Sequence, residues 1–204
     1  MLCIEYLNNL EIDFVKELNR LEKSTKSKII FKSSLFNIYN YLHEDNTKVL
    51  PAKRTPTGYS IYAHNEGDSS NECFLIGRLR ANIFGTKYSL ELDNEPLHVN
   101  YDLAFLKKNK PRSFNVQLGH LNLENKYPIY NPDTNSYSLN FSGRVTIASA
   151  KNFQIIHKLD PTFITLTFRN ENTNSYILDF THPWSLIKEF CVGLTALDHK
   201  LGFE

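Results

Sequence analysis

Trp184-Ser-Leu-Ile-Lys-Glu-Phe-Cys-Val-Gly-Leu-Thr-Ala-Leu197 is the stretch on which the fold turns. Its second half, Phe190 to Leu197, is apolar almost all the way round. A helix without a polar face has no side to turn to water, so it belongs inside something. At ~1.5 Å per residue the quoted run spans about 20 Å, roughly the height of a small barrel. Just upstream, Thr181-His182-Pro183 reads as the start of the helix, with proline at the first helical position. The helix is therefore expected at about 184–198. Gly193, near its middle, lets a strand or an aromatic ring approach closely.

Outward from that run toward the N-terminus, the hydrophobic period is two. Ile29-Ile30-Phe31, Phe36 to Leu42, Tyr59 to Tyr62, Cys73 to Arg80 and Thr86 to Leu92 read as strands. Ser113 to Leu118, Tyr137 to Phe141, Phe163 to Phe168 and Tyr176 to Phe180 continue the series. Tyr137, Leu139 and Phe141 share one face there, and Ser138 and Asn140 the other. Short polar connectors such as Asn65-Glu66-Gly67-Asp68 and Asn170 to Asn174 separate the runs. Many short strands followed by one apolar helix make a mainly β fold with a buried helix: a closed antiparallel β-barrel wrapped around a central hydrophobic C-terminal helix.

The first residues have a different texture. Leu7, Leu10, Phe14, Leu18 and Leu21 recur at three- and four-residue steps, an amphipathic helical stripe. It either packs on the domain or docks on a partner, and its mixed charges argue against a bilayer. The expected division is an N-terminal helical segment, 1–28, and a barrel domain, 29–204. A chain of 204 residues suits one domain of this kind.

Composition narrows the function. The 23 basic and 22 acidic residues nearly cancel, so the basic excess of a nucleic-acid binder is missing and any polyanion site must be local. Phe and Tyr, 14 and 11 residues, favour strands. Cys3, Cys73 and Cys191 are odd in number and widely spaced, which fits reduced, buried thiols. No signal-peptide pattern or lipidation motif is visible, and the longest apolar stretch is far short of the ~20 residues of a membrane span. A soluble, intracellular chain is expected. Nucleophile-elbow, phosphate-loop and zinc-protease motifs are missing, and the seven histidines lack ligand spacing. No enzymatic activity, cofactor or metal is expected.

Three blocks carry a resemblance. Tyr137-Ser-Leu-Asn-Phe-Ser-Gly-Arg-Val-Thr-Ile-Ala-Ser-Ala-Lys-Asn-Phe-Gln-Ile-Ile156 resembles the Asn-Phe-x-Gly-Arg-Val-x-x-Ala-Ser-x-Lys-Asn-Phe-Gln block of the tubby family. Phe74-Leu-Ile-Gly-Arg-Leu-Arg-Ala-Asn-Ile-Phe-Gly-Thr-Lys87 is similar to that family's Phe-Ile-Gly-Lys-Leu-Arg-Ser-Asn-Phe-x-Gly-Thr-Lys. The end, Leu197-Asp-His-Lys-Leu-Gly-Phe-Glu204, is similar to its closing Phe-Asp-x-Lys-Leu-x-x-Glu. The resemblance covers about Leu35 to Glu204. It implies a closed barrel of about twelve strands around the C-terminal helix, and binding of phosphatidylinositol 4,5-bisphosphate through basic residues on the barrel wall. Leu92 to Val99 and Leu118 to Tyr130 are shorter than the family's stretches, so loss of a strand or a loop helix is expected there.

The implied site has a chemistry of its own. Arg78 and Arg80, two apart on a strand, project from one face roughly 7 Å apart. Each guanidinium can form paired hydrogen bonds to phosphate oxygens, and the headgroup carries two phosphates on adjacent carbons. Alone, such a pair is an ordinary solvated sheet face; the resemblance gives it the family's Lys-x-Arg lipid role, with Arg78 in place of lysine. It likewise implies headgroup contacts for Arg112, Lys53 and Arg54, with Lys107, Lys108 and Lys110 as an additional basic patch. The family's asparagine near Lys53 and Arg54 falls at Gly58. Arg144, Lys151 and Asn152 read as structural. The expected function is a non-enzymatic phosphoinositide-binding tether, peripheral at the inner face of the plasma or ciliary membrane, with a membrane or ciliary trafficking adaptor for protein cargo as its further expected role. The alternative is a protein-interaction adaptor that uses the Leu7 to Leu21 stripe. A DNA-associated role is disfavoured by the balanced charge.

Overall fold

Alternation of apolar and polar side chains builds a wall with one dry and one wet face. In Phe114-Asn-Val-Gln-Leu118, Phe114, Val116 and Leu118 are buried while Asn115 and Gln117 are exposed. The computed structural model describes residues 24–32, 37–43, 48–64, 73–91, 96–102, 110–143, 145 and 147–198. Its strands are β1 (Thr25–Lys32), β2 (Ile38–His43), β3 (Lys48–Thr55), β4 (Gly58–His64), β5 (Cys73–Ala81), β6 (Lys87–Glu91) and β7 (Leu97–Tyr101). They continue with β8 (Phe114–Leu118), β9 (Leu121–Asn125), β10 (Ile129–Asn131), β11 (Ser136–Ser138), β12 (Phe153–His157), β13 (Asp160–Asn172) and β14 (Ser175–Phe180). Twelve of them close a barrel in the order β1-β14-β13-β12-β9-β8-β7-β6-β5-β4-β3-β2, with every pairing antiparallel. The ribbon β10–β11 stands apart from it.

Helix α1 (Leu186–Leu197) fills the barrel, and every residue from Lys188 to Leu197 is buried. Gly193 is the point of closest approach. A Cβ there would lie 2.6 Å from Ile29 Cδ1, 3.3 Å from Phe168 Cε2 and 3.5 Å from Leu178 Cδ2. Around the helix runs a chain of rings, Tyr88, Tyr101, Phe114, Phe153, Phe168 and Tyr176, with successive centroids 4.8–6.0 Å apart. The high aromatic content is thus spent on the gap between helix and wall.

Several expectations are corrected. Tyr137–Phe141 is not a barrel strand. Only its first two residues are extended, in β11, and Tyr137 packs outside the barrel on Tyr127 and Tyr130. The shortened stretches after Leu92 and Leu118 keep their strands, β7 and β9, so the barrel still has twelve. Thr181, His182 and Pro183 form a turn after β14, with a cis bond before the proline, and α1 begins at Leu186. Cys191 is buried as expected, but Cys73 is exposed. The Leu7–Leu21 stripe and Cys3 lie outside the described residues. Among those described, no helix is long and apolar enough to cross a membrane.

A buried carboxyl group anchors the start of α1. Glu189, in its first turn, accepts hydrogen bonds from the Ser27 hydroxyl at 3.1 Å and from the Tyr41 hydroxyl, both on Oε1. Burial, helped by the neighbouring Asp179 charge, pushes Glu189 up to about 9, against an ordinary value of 4.5. The folded protein therefore holds a proton there that the unfolded chain releases above pH 4.5. Stability from this group is complete below that pH and is lost as pH rises through about 9. Glu189→Gln keeps a neutral side chain of the same shape and removes the linkage. Thermal melts from pH 5 to 9 should show the variant gaining on the wild type by about 1 kcal/mol per pH unit at mid-window. Parallel profiles would mean that Glu189 is charged in the folded protein.

Candidate functional site

Cross-strand register sets out the basic residues. Lys53 on β3 faces Ser60 on β4, Ser60 faces Arg78 on β5, and Arg78 faces Glu91 on β6. Paired residues point to the same side of a sheet, so Lys53, Ser60, Arg78 and Glu91 form one row on the outer wall. The next outward row is Gly58, Arg80, Ser89 and His98. Arg78 and Arg80 are both exposed, one in each row. With strands ~4.8 Å apart, Lys53 lies about 10 Å from Arg78 along its row.

Gly58 shapes the wall between these cations. Its φ is +132°, and a Cβ there would sit 2.0 Å from the Leu79 carbonyl oxygen. Only glycine fits, so a side chain is excluded by backbone contact. Beside it lies a shallow depression of about 220 Å³ lined by Thr55, Thr57, Tyr59, Ser60, Arg78, Leu79 and Arg80. Arg80 pairs through Nε with Glu91, and both side chains are about half exposed. Such a surface pair contributes about 0–1 kcal/mol, so an incoming phosphate can displace the carboxylate. Arg78 makes no ion pair with the described residues.

Arg54, next to Lys53, turns the other way. Its Nη2 lies 2.7 Å from Oδ1 of Asp198, just past the end of α1. Asp198 also accepts the Tyr88 hydroxyl at 2.8 Å and the Tyr59 hydroxyl at 3.3 Å. Burial first, then the Asp198 charge, raises the phenols of Tyr59 and Tyr88 well above their ordinary value. Arg54 is thus tied to the helix end, on the opposite face from Lys53.

Arg112 lies two residues before β8, at the rim of the barrel that carries the β5–β6 turn, separated from Arg80 by β6 and β7. Its guanidinium carbon lies 5.8 Å from the centre of the Tyr101 ring. It lines a second cleft, of about 930 Å³, with Lys110, Lys126, Asn125, Tyr137 and Phe153. Lys151 is lowered from its usual value by burial and by the Arg112 charge, the sign of a positive field there. Lys110 is exposed at this rim, whereas Lys107, Lys108 and Arg144 lie outside the described residues. The site therefore falls into two parts: Lys53, Arg78 and Arg80 on the wall, and Arg112 with Lys110 at the second cleft. Asn152 braces the wall, accepting from the Asn170 amide at 2.7 Å and donating to the Ile147 carbonyl at 2.9 Å.

Sequence reasoning passed over the tip of the β5–β6 hairpin beside Arg80. Ile83 is 96% exposed and Phe84 58% exposed. Both lie between Phe74 and Lys87, but an Asn-Ile-Phe-Gly turn gives no periodicity from which exposure could be read.

The Tub family model matches residues 104–199, a span that includes Arg112 but not the β3–β5 cations. Tubby-related protein 3 of Mus musculus is 30% identical over 239 aligned residues, covering 89% of this chain and 52% of the relative. Protein king tubby 2 of Culex quinquefasciatus is 32% identical, covering 83% and 52%. Tubby-related protein 1 of Mus musculus is 45% identical over 84 residues, covering 41% and 16%. The chain spans about half the length of the first two relatives and a smaller share of the third.

Proposed function

Because this chain is a tubby-like protein, we propose that it is a non-enzymatic module that binds phosphoinositide headgroups at a membrane surface. Phosphatidylinositol 4,5-bisphosphate is the ligand whose adjacent phosphates suit the arginine pair. The observation that carries this reading is that Lys53, Arg78 and Arg80 share one outer wall, with the two arginines lining a shallow depression in it. Among the described residues, the ion pair of Arg80 is with one half-exposed carboxylate, Glu91. Each guanidinium presents a planar fork to phosphate oxygens, and water is displaced without covalent chemistry. A barrel filled by α1 supports a surface site over a catalytic chamber.

In this reading the protein sits reversibly at the inner face of the plasma membrane or a ciliary membrane and holds itself or a protein cargo there. The adaptor alternative would use the Leu7–Leu21 stripe, with the lipid site weakened. The test is co-sedimentation with phosphatidylcholine vesicles containing phosphatidylinositol 4,5-bisphosphate, comparing wild type with Arg78→Ala/Arg80→Ala. At about 1 kcal/mol per basic residue near an anionic surface, the double variant should bind at least about thirtyfold more weakly, while its thermal melt is unchanged. A folded double variant that pellets like the wild type would sink the proposal.

A further inference from the structure

The apolar tip of the β5–β6 hairpin is built to be held away from the barrel. Asn82 organises the turn: its Oδ1 accepts from the Thr86 amide at 2.8 Å and the Lys87 amide at 3.0 Å, and its Nδ2 donates to the Thr86 hydroxyl at 2.9 Å. Backbone bonds from Gly85 N to the Asn82 carbonyl and from Asn82 N to the Lys87 carbonyl close the same loop, with Gly85 at φ +62°. Ile83 and Phe84 therefore stand at the end of a braced turn, 96% and 58% exposed. Exposed apolar residues are common singly; two adjacent large ones fixed at a hairpin tip are a surface in search of an apolar medium.

The charges on either side say which medium. Arg80 lies three residues before Ile83 and Lys87 three residues after Phe84, and both are exposed. Three extended residues reach at most about 10 Å. Amphipathic elements that lie in the bilayer interface bury their apolar side about 5–10 Å into the headgroup and acyl boundary. The hairpin thus has an apolar tip at the depth of the upper acyl chains when its two flanking cations are at the depth of the phosphates. Arg78 and Lys53 on the adjoining wall would face the same headgroup layer.

We propose that Ile83 and Phe84 form a wedge that enters an anionic lipid bilayer beside the headgroup site. This deepens the membrane reading above and rests on it. The wedge adds an apolar, salt-insensitive part to binding that cations alone would leave fully screened.

Two measurements test it. The variant Ile83→Ser/Phe84→Ser changes only exposed side chains, so folding is not at stake. It should bind soluble inositol 1,4,5-trisphosphate as the wild type does, yet bind vesicles containing phosphatidylinositol 4,5-bisphosphate at least about tenfold more weakly. Its residual binding should vanish at raised salt. In a second experiment, Ile83→Trp supplies a fluorophore at the tip, and its emission should shift to the blue on vesicles and be quenched by lipids brominated high on the acyl chain. Unchanged vesicle binding by the serine variant, or an unshifted emission with bound protein, would overturn the wedge and assign the tip to a protein partner. Failure of the headgroup reading gives a different signature: no binding of the soluble headgroup by the wild type.

Discussion

Asp198→Ala is expected to destabilise the barrel by about 2–4 kcal/mol in urea denaturation, out of proportion to the single polar group removed. The Asp198 side chain is 4% exposed and meets Arg54 at 2.7 Å, the Tyr88 hydroxyl at 2.8 Å and the Tyr59 hydroxyl at 3.3 Å. These partners come from β3, β6 and β4, so one carboxylate joins the end of the helix to three strands. A negative charge at a helix C-terminus opposes the helix dipole, and the Arg54 guanidinium offsets that cost. Removing the carboxylate leaves two buried phenols without their acceptor and a partly covered arginine without its counter-ion. Asp198→Asn keeps an acceptor oxygen and should cost less. If the alanine variant unfolds at the wild-type urea concentration, Asp198 does not anchor the helix.

Gly193→Leu should prevent the barrel from closing around its helix, while Gly193→Ala should be nearly neutral. Alanine gains about 1 kcal/mol of helix propensity over glycine. Against this stands a Cβ that would lie 2.6 Å from Ile29 Cδ1, a contact relieved by a small movement of one side-chain tip. The two terms roughly cancel. Leucine adds three further carbons in a space already bounded by Ile29, Phe168 and Leu178. Overpacking of a tight core costs about 1–3 kcal/mol for smaller insertions, so leucine should exceed that range. Circular dichroism and a urea midpoint would check the series. A fully folded leucine variant would contradict a helix packed inside the wall.

The helix and its glycine were legible because an apolar run with no polar face admits one solution, and Gly193 lies within it. The strands were legible only where alternation was clean. In β3, Pro51 interrupts the run, and Lys53 and Arg54 put two cations side by side. A basic dipeptide on a strand must split between faces, but sequence does not say which residue goes inward. The register does, sending Lys53 to the wall and Arg54 to Asp198. β12 was missed for the opposite reason: all five of its residues are buried, and the outward-facing Gln154 donates to the Asn140 carbonyl of the segment lying over it. Tyr137 to Phe141 misled because alternation shows amphipathicity, and the β10–β11 ribbon is amphipathic without joining the barrel. Arg78 and Arg80 were the most legible part of the site, since a spacing of two on a strand fixes a shared face. The Arg80–Glu91 pair and the wedge depend on contacts between strands and on turn geometry, which no local pattern encodes.

The most direct measurement is wild-type co-sedimentation with two vesicle sets of equal surface charge, one carrying phosphatidylinositol 4,5-bisphosphate and the other phosphatidylserine. Paired phosphate contacts from Arg78 and Arg80 require that the protein pellet with the first set and stay largely in solution with the second. Equal pelleting with both would reduce the wall to a diffuse positive surface, and pelleting with neither would contradict membrane binding altogether.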